Sequence, residues 1–215
     1  MAQTLQNLLS MDRIIPLHID KQKIVMENQL TQAVITSSEN DANFRDMIQS
    51  DSDKKELWKY AKSPKGFLVL AGKNGSGKSY AAKTIYNLNT PYRLPQFDSD
   101  QSIFIHEGAL YEDWLQSQQD QRAESKPYKD TLLLVIDDFG YKKPSEGFYG
   151  FLHRLIDYRW THRDKCGTVI TTNKTADEIK EFYGTSILSR MTSGIAKRWD
   201  NKDRRITPKE HWLNF

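Results

Sequence analysis

Apolar residues beyond about position 55 fall into short blocks whose internal spacing alternates between two periods. Phe67-Leu68-Val69-Leu70-Ala71 is a continuous apolar run, short enough for a buried strand and too short for a helix. Ser102-Ile103-Phe104-Ile105, Thr131 to Ile136 and Gly167-Thr168-Val169-Ile170-Thr171 repeat that pattern. Between these runs the spacing becomes helical. Ser79 to Asn87 follows the first run, and Leu110, Tyr111, Trp114 and Leu115 mark a helix after the second. Phe148, Phe151, Leu152, Leu155 and Ile156 form one stripe of a helix over 148–162, and 175–183 and 186–191 read as two short helices. Polar residues 116–130 read as a loop or a helix end. Strands alternating with helices imply a parallel sheet covered by helices, an α/β fold.

The first 55 residues differ. They are polar, weakly periodic and free of glycine. Ser37 to Asp41 and Ser50 to Asp53 read as turns or linkers, and Ile24, Leu30, Val34 and Ile35 as one amphipathic helix. The expected division is an N-terminal extension, 1–55, that binds a partner, and an α/β domain, 56–215.

Composition narrows the class. A chain of 215 residues, 38% hydrophobic and 27% charged, can bury one sizeable core and reads as soluble. No apolar stretch reaches the roughly 18 residues of a membrane span. The first twenty residues carry Asp12 and Asp20 and lack the apolar core of a signal peptide. The single cysteine, Cys166, excludes an internal disulfide or a cysteine zinc site and points to a reducing cytoplasm. A net charge of +3 permits nucleic-acid contact without requiring it; the local clusters are Tyr141-Lys142-Lys143 and Lys197, Arg198, Lys202, Arg204 and Arg205.

The chemistry concentrates at strand ends. Gly72-Lys73-Asn74-Gly75-Ser76-Gly77-Lys78-Ser79, followed by Tyr80, fits the phosphate-loop pattern at every fixed position and sits between a strand and a helix. Its glycines let the backbone curl so that N–H groups face phosphate oxygens, and the following helix adds its positive N-terminal end. Lys78 would reach the outer phosphates and Ser79 would meet Mg²⁺. The strand ending in Asp137-Asp138 would deliver two carboxylates to the same rim. Asp137 would hold Mg²⁺ through water, and Asp138 would orient or deprotonate the attacking water. Asn173, closing a third apolar run, could bond that water or the γ-phosphate, or simply form a turn.

Two arginines stay open on spacing alone. Arg159 shares the apolar stripe of its helix and therefore needs a partner: an acid in its own domain, or a nucleotide across a subunit boundary. Arg190 is either a finger acting in trans on a neighbour's nucleotide or an exposed helix-end arginine.

Taken together, GKNGSGKS (72–79), LLLVIDDFG (132–140), FLHRLIDYRW (151–160), TVITTN (168–173), SILSRM (186–191) and SGIAKRWDNKDRRI (193–206) resemble the DnaC/IstB-like branch of AAA+ ATPases. The resemblance implies a P-loop AAA+ core and ATP with Mg²⁺ as ligands. It implies that Asp137 and Asp138 are the Walker B acids, Asn173 is sensor 1, Arg190 is the arginine finger, and Arg159 is a second arginine facing the neighbouring subunit. It implies an ATP-dependent homo-oligomer that loads a replicative helicase onto single-stranded DNA, or assists a transposase. The chain ends soon after Arg205, so no C-terminal helical lid is expected. The first 55 residues lack zinc-binding cysteines, and the stretch between Ile105 and Thr131, where relatives insert a DNA-contacting segment, is compact.

Four functions follow. A helicase loader would line a DNA path with Lys142, Lys143, Lys197, Arg198 and Trp199. A transposase helper would use the same core. A small-molecule kinase would need an acceptor pocket and a mobile lid, and the Asp-Asp and Thr-Thr-Asn strand ends argue against it. A nucleotide-gated adaptor would bind without turnover.

Overall fold

A computed structural model of the chain describes residues 44–89, 102–119 and 128–200. Five strands, all parallel, form one sheet: β1 (Gly66–Gly72), β2 (Ser102–His106), β3 (Leu133–Asp137), β4 (Gly167–Thr172) and β5 (Ile195–Trp199). Their spatial order is β2-β3-β4-β1-β5. Five helices connect or flank them: α1 (Asp51–Lys62), α2 (Lys78–Asn89), α3 (Glu107–Gln119), α4 (Glu146–Thr161) and α5 (Ala176–Met191).

Strand periodicity distributes the apolar runs between two layers. Phe67, Val69, Leu134, Ile136 and Ile170 join Leu110, Phe148, Leu152, Leu155, Ile156, Ile179, Tyr183 and Ile187 in one buried cluster beneath α3, α4 and α5. Leu68, Leu70, Val135 and Val169 alternate with them, fully or nearly fully buried. The α2 helix, with Ala81, Ala82 and Ile85 fully buried, packs on the sheet, and α1 packs against α2. Each large apolar side chain so buried contributes about 1.5–3 kcal/mol of transfer free energy.

Four of the five elements at the sheet's core were legible as apolar runs. The fifth, β5, has the alternation of a half-buried edge strand, and its basic residues masked it. Ser50 to Asp53 is no linker. Ser50 caps α1 by accepting from the Asp53 N–H at 3.1 Å, and Asp51 and Asp53 sit in the first turn, where the helix dipole favours them. The expected junction at 55 therefore falls inside a helix whose Leu57 and Tyr60 are buried. All described residues belong to one compact unit, Ala42–Phe215. The amphipathic helix expected near 24–35 lies outside the described residues, as do Lys202, Arg204 and Arg205.

The span α5 comprises the two short helices expected after β4, which meet at Gly184, whose φ of 78° and ψ of 166° break the helical path. It opens with a capping box: Thr175 accepts from the Glu178 N–H, and Glu178 reaches back to the Thr175 N–H. The polar stretch after Leu115 continues as helix to Gln119.

Candidate active site

Among the described helices, α2 is the one with no acidic residue in its first turn; α1, α3, α4 and α5 each carry at least one. The positive end of α2 is thus left uncompensated, directly behind the phosphate loop. Gly72, Gly75 and Gly77 take φ values of 141°, 72° and 91°, which curls the loop. At Gly72 a Cβ would also lie 1.8 Å from the Trp199 carbonyl oxygen, so the neighbouring edge strand requires glycine there. Lys78 is buried, and its ammonium donates to the Lys73 carbonyl at 2.7 Å, folded back over its own loop.

Asn74, Gly75, Gly77, Lys78, Ser79 and Tyr80 share a cleft of about 220 Å³ with Asp138 and Asn173. A second cleft of about 380 Å³ continues from it along Asn74, Asp138 and Asn173 to Phe139, Gly140, Tyr141 and Lys174. The phosphate loop, the end of β3 and the end of β4 therefore meet at one rim, as strand order β3-β4-β1 demands.

Asp138 occupies left-handed backbone at φ 56°, alone among the described non-glycine residues. Aspartate tolerates this conformation better than most side chains, at a cost of roughly 1 kcal/mol or more. Thr171 stabilises it. Its hydroxyl accepts from the Asp138 N–H at 3.0 Å and donates to Asp137 Oδ1 at 2.5 Å. Asp137 is buried, and its other oxygen lies 3.3 Å from His106 Nδ1. One ligand atom each from His106, Asp137 and Asp138 lies within 4.8 Å of the others. Both Asp137 oxygens are engaged, and each keeps a lone pair for one further contact. Carboxylate and hydroxyl oxygens from Asp137, Asp138 and Ser79 fit a hard cation such as Mg²⁺.

Sequence reasoning missed His106, Glu107 and the role of Thr171. The signal was available: β2 pairs in register with β3, His106 opposite Asp137, so a polar pair after the β2 run repeats the pattern that exposed Asp137-Asp138. Glu107 is buried and accepts from the N–H groups of Gly140 and Tyr141 at 3.0 and 3.1 Å.

Two expectations are corrected. Arg159 is buried within its own chain and, among the described residues, forms no ion pair with an acid. It is among the largest fully buried side chains, and its guanidinium donates to Thr168 Oγ1 and to the carbonyls of Tyr128, Lys129, Thr131 and Gly167. Those groups lie at the starts of β3 and β4, the end of the sheet opposite the phosphate loop. Burial lowers the pKa of Arg159 below its ordinary value. Trp199 offers no stacking face to DNA either, although Arg198 beside it is exposed. Trp199 is buried at the end of β5, Lys197 pairs with Asp53 and Glu56 on α1, and Arg198 pairs with Asp200. Burial pushes Asp53 up, but hydrogen bonds from Lys197, Ser50 and Trp199 outweigh it and leave the carboxyl below its usual range.

Arg190 donates to the Ser186 hydroxyl and carbonyl, pairs with Asp157 at 2.5 Å and lies over the Trp160 ring. These partners belong to α4 and α5 and none lines the cleft. Tyr141, by contrast, is 83% exposed, and Lys142 and Lys143 beside it are exposed too.

No family model matches the chain, and no curated protein matches it. Solved structures share its fold. Domain III of the replication initiation protein DnaA from Thermotoga maritima superposes with a TM-score of 0.64 at 19% identity, covering 78% of this chain and 70% of that one. A replication initiator DnaA bound to AMPPCP and single-stranded DNA gives 0.63 at 11% identity, over 75% of this chain and 50% of that one. The DnaC helicase loader gives 0.56 at 19% identity, over 75% of this chain and 97% of that structure. What the chain shares with these structures is the fold, a five-stranded parallel sheet flanked by helices. Among the described residues, no helix is long and apolar enough to cross a membrane.

Proposed function

We propose that this chain is an ATPase that loads a replicative helicase onto single-stranded DNA. The observation that carries the reading is the single cleft shared by the phosphate loop, Asp138 and Asn173. It is supported by a fold that spans nearly the whole DnaC helicase loader structure, and by a similar DnaA structure that holds both AMPPCP and single-stranded DNA.

In this reading the loop N–H groups from Gly75 to Ser79 and the α2 N-terminus bind the ATP phosphates, and Lys78 leaves the Lys73 carbonyl to meet them. Ser79, and Asp137 through water, would hold Mg²⁺, which would neutralise phosphate charge when bound. Asp138 accepts the proton of the attacking water, and Asn173 orients that water. Thr171 keeps the two carboxylates apart in role: it occupies Asp137 and fixes the backbone of Asp138. Arg190 lies away from its own cleft, held by Asp157 and Ser186; in this reading it leaves them to act on the nucleotide of a second copy in a homo-oligomer.

Tyr141, Lys142 and Lys143 face solvent beside the second cleft and form the DNA contact, stacking bases and meeting phosphates. The part of the expected 1–55 extension that precedes the compact unit, Met1–Asp41, takes the partner-binding role, in a reducing cytoplasm. The test is phosphate release with Mg²⁺ and no added small acceptor, which excludes a kinase, followed by capture of partners from the native host with the full chain. Recovery of a replicative helicase is expected. Recovery of a transposase instead would replace the loader reading with that of a transposase helper.

A further inference from the structure

Glu107 is a buried carboxylate, 5% exposed, that forms no ion pair among the described residues. An uncompensated buried charge is costly, so its hydrogen bonds must justify its position. It opens α3 directly after β2. One oxygen accepts from the N–H groups of Gly140 and Tyr141, and the other accepts from the Tyr183 hydroxyl. It thus joins the end of β2, the loop after β3 and the last residue of α5 before the Gly184 bend.

That loop carries the candidate base. Asp138 sits at its start in left-handed backbone, and the Phe139 ring stacks on Tyr183 with centroids 4.4 Å apart. The Phe139 carbonyl accepts from Thr172 Oγ1 at 2.6 Å, and that hydroxyl accepts from the Lys174 N–H across Asn173. The mounts of Asp138 and Asn173 are therefore tied to each other, and both are anchored through Phe139–Tyr141 onto Glu107.

We propose that Glu107 is a positioning residue for ATP hydrolysis, clasping the backbone of Gly140 and Tyr141 so that Asp138 stays aimed into the cleft. The inference rests on the ATPase reading above. Burial pushes the Glu107 pKa up against the hydrogen bonds from Tyr183, Gly140 and Tyr141. The clasp needs acceptors rather than a charge. One side-chain oxygen must face the two N–H groups, whereas the position facing Tyr183 can be filled by a donor, because a phenol hydroxyl both gives and accepts. Glutamine meets both demands and leucine meets neither.

The experiment compares the full-length parent, Glu107→Gln, Glu107→Leu and Tyr183→Phe in three measurements: ATP affinity, turnover, and hydrogen exchange at the Gly140 and Tyr141 amides. Glu107→Leu should keep ATP affinity within about threefold of the parent, lose turnover by about 10–100-fold, and exchange both amides at least about tenfold faster. Glu107→Gln should restore turnover, affinity and amide protection to within about twofold of the parent. Tyr183→Phe, which keeps the stacked ring, should fall between. Parent-like turnover in Glu107→Leu overturns the inference, as does a Glu107→Gln variant as impaired as Glu107→Leu. Joint loss of ATP binding and turnover in Glu107→Leu would make the residue a general support of the fold and also overturns it. If Glu107→Leu does not fold, parent-like turnover in Tyr183→Phe decides against the inference. A parent chain that hydrolyses no ATP defeats the proposed function itself, a result distinct from these.

Discussion

Thr171 on β4 donates its hydroxyl to Asp137 on β3 across 2.5 Å, and the same oxygen receives the Asp138 N–H. One side chain from the neighbouring strand thereby sets both acidic positions. Thr171→Val keeps the shape and removes both bonds. ATP binding without Mg²⁺ should be unchanged, while Mg²⁺-dependent turnover should fall about 10–100-fold, the usual effect of removing a group that orients a metal-site carboxylate. Titrating Mg²⁺ at fixed ATP measures it, and a parent-like Mg²⁺ curve would show that Thr171 has no such part.

Arg159 holds the starts of β3 and β4 together through Thr168 and four backbone carbonyls. Arg159→Met should destabilise the fold by about 3 kcal/mol, since buried carbonyls lose their donors. Denaturant unfolding measures the loss. If stability were kept while turnover of the assembled protein fell, a role facing a neighbouring subunit would return.

At Gly72 the backbone stands at φ 141° and a Cβ would collide with the Trp199 carbonyl. Gly72→Ala should detach β5 from β1 and cost on the order of 3 kcal/mol. The Trp199 indole, buried in the parent, reports this by a red-shifted emission; unchanged emission and stability would contradict the packing.

Arg190 is held by Asp157 and Ser186 within its own chain. Arg190→Ala should leave ATP affinity largely intact and lower turnover only at protein concentrations where the chain assembles. Mixing it with Lys78→Ala, which supplies an arginine but no working phosphate loop, should restore part of the activity. Asp157→Asn frees the arginine from a half-exposed ion pair, so turnover on assembly should rise by no more than about fivefold, given the small worth of such pairs. Full turnover by Arg190→Ala at every concentration would remove the finger role.

The sheet core and the phosphate loop were readable because burial imposes continuous apolar runs and because phosphate binding constrains glycine, lysine and serine to fixed spacings. Long-range partners were not. Arg159 announced from its apolar stripe that it needed a partner, but spacing cannot show that this is a set of carbonyls from the turn before β3, 28 to 31 residues away, and from the start of β4. The strand β5 was hidden because an edge strand carries polar residues on alternate positions, so Lys197 and Arg198 read as a basic surface before their pairing with acids was visible. Thr171 and Glu107 act through neighbours on adjacent strands, which only the strand order brings into reach.

The central claim is that Asp138 is the base of an ATPase site built on the Gly72–Ser79 loop. The most direct test measures ATP affinity and Mg²⁺-dependent phosphate release together for the parent, Lys78→Ala and Asp138→Asn. The expected result is an active parent, no nucleotide binding by Lys78→Ala, and parent-like binding without turnover by Asp138→Asn. Hydrolysis by Asp138→Asn at the parent rate would contradict it.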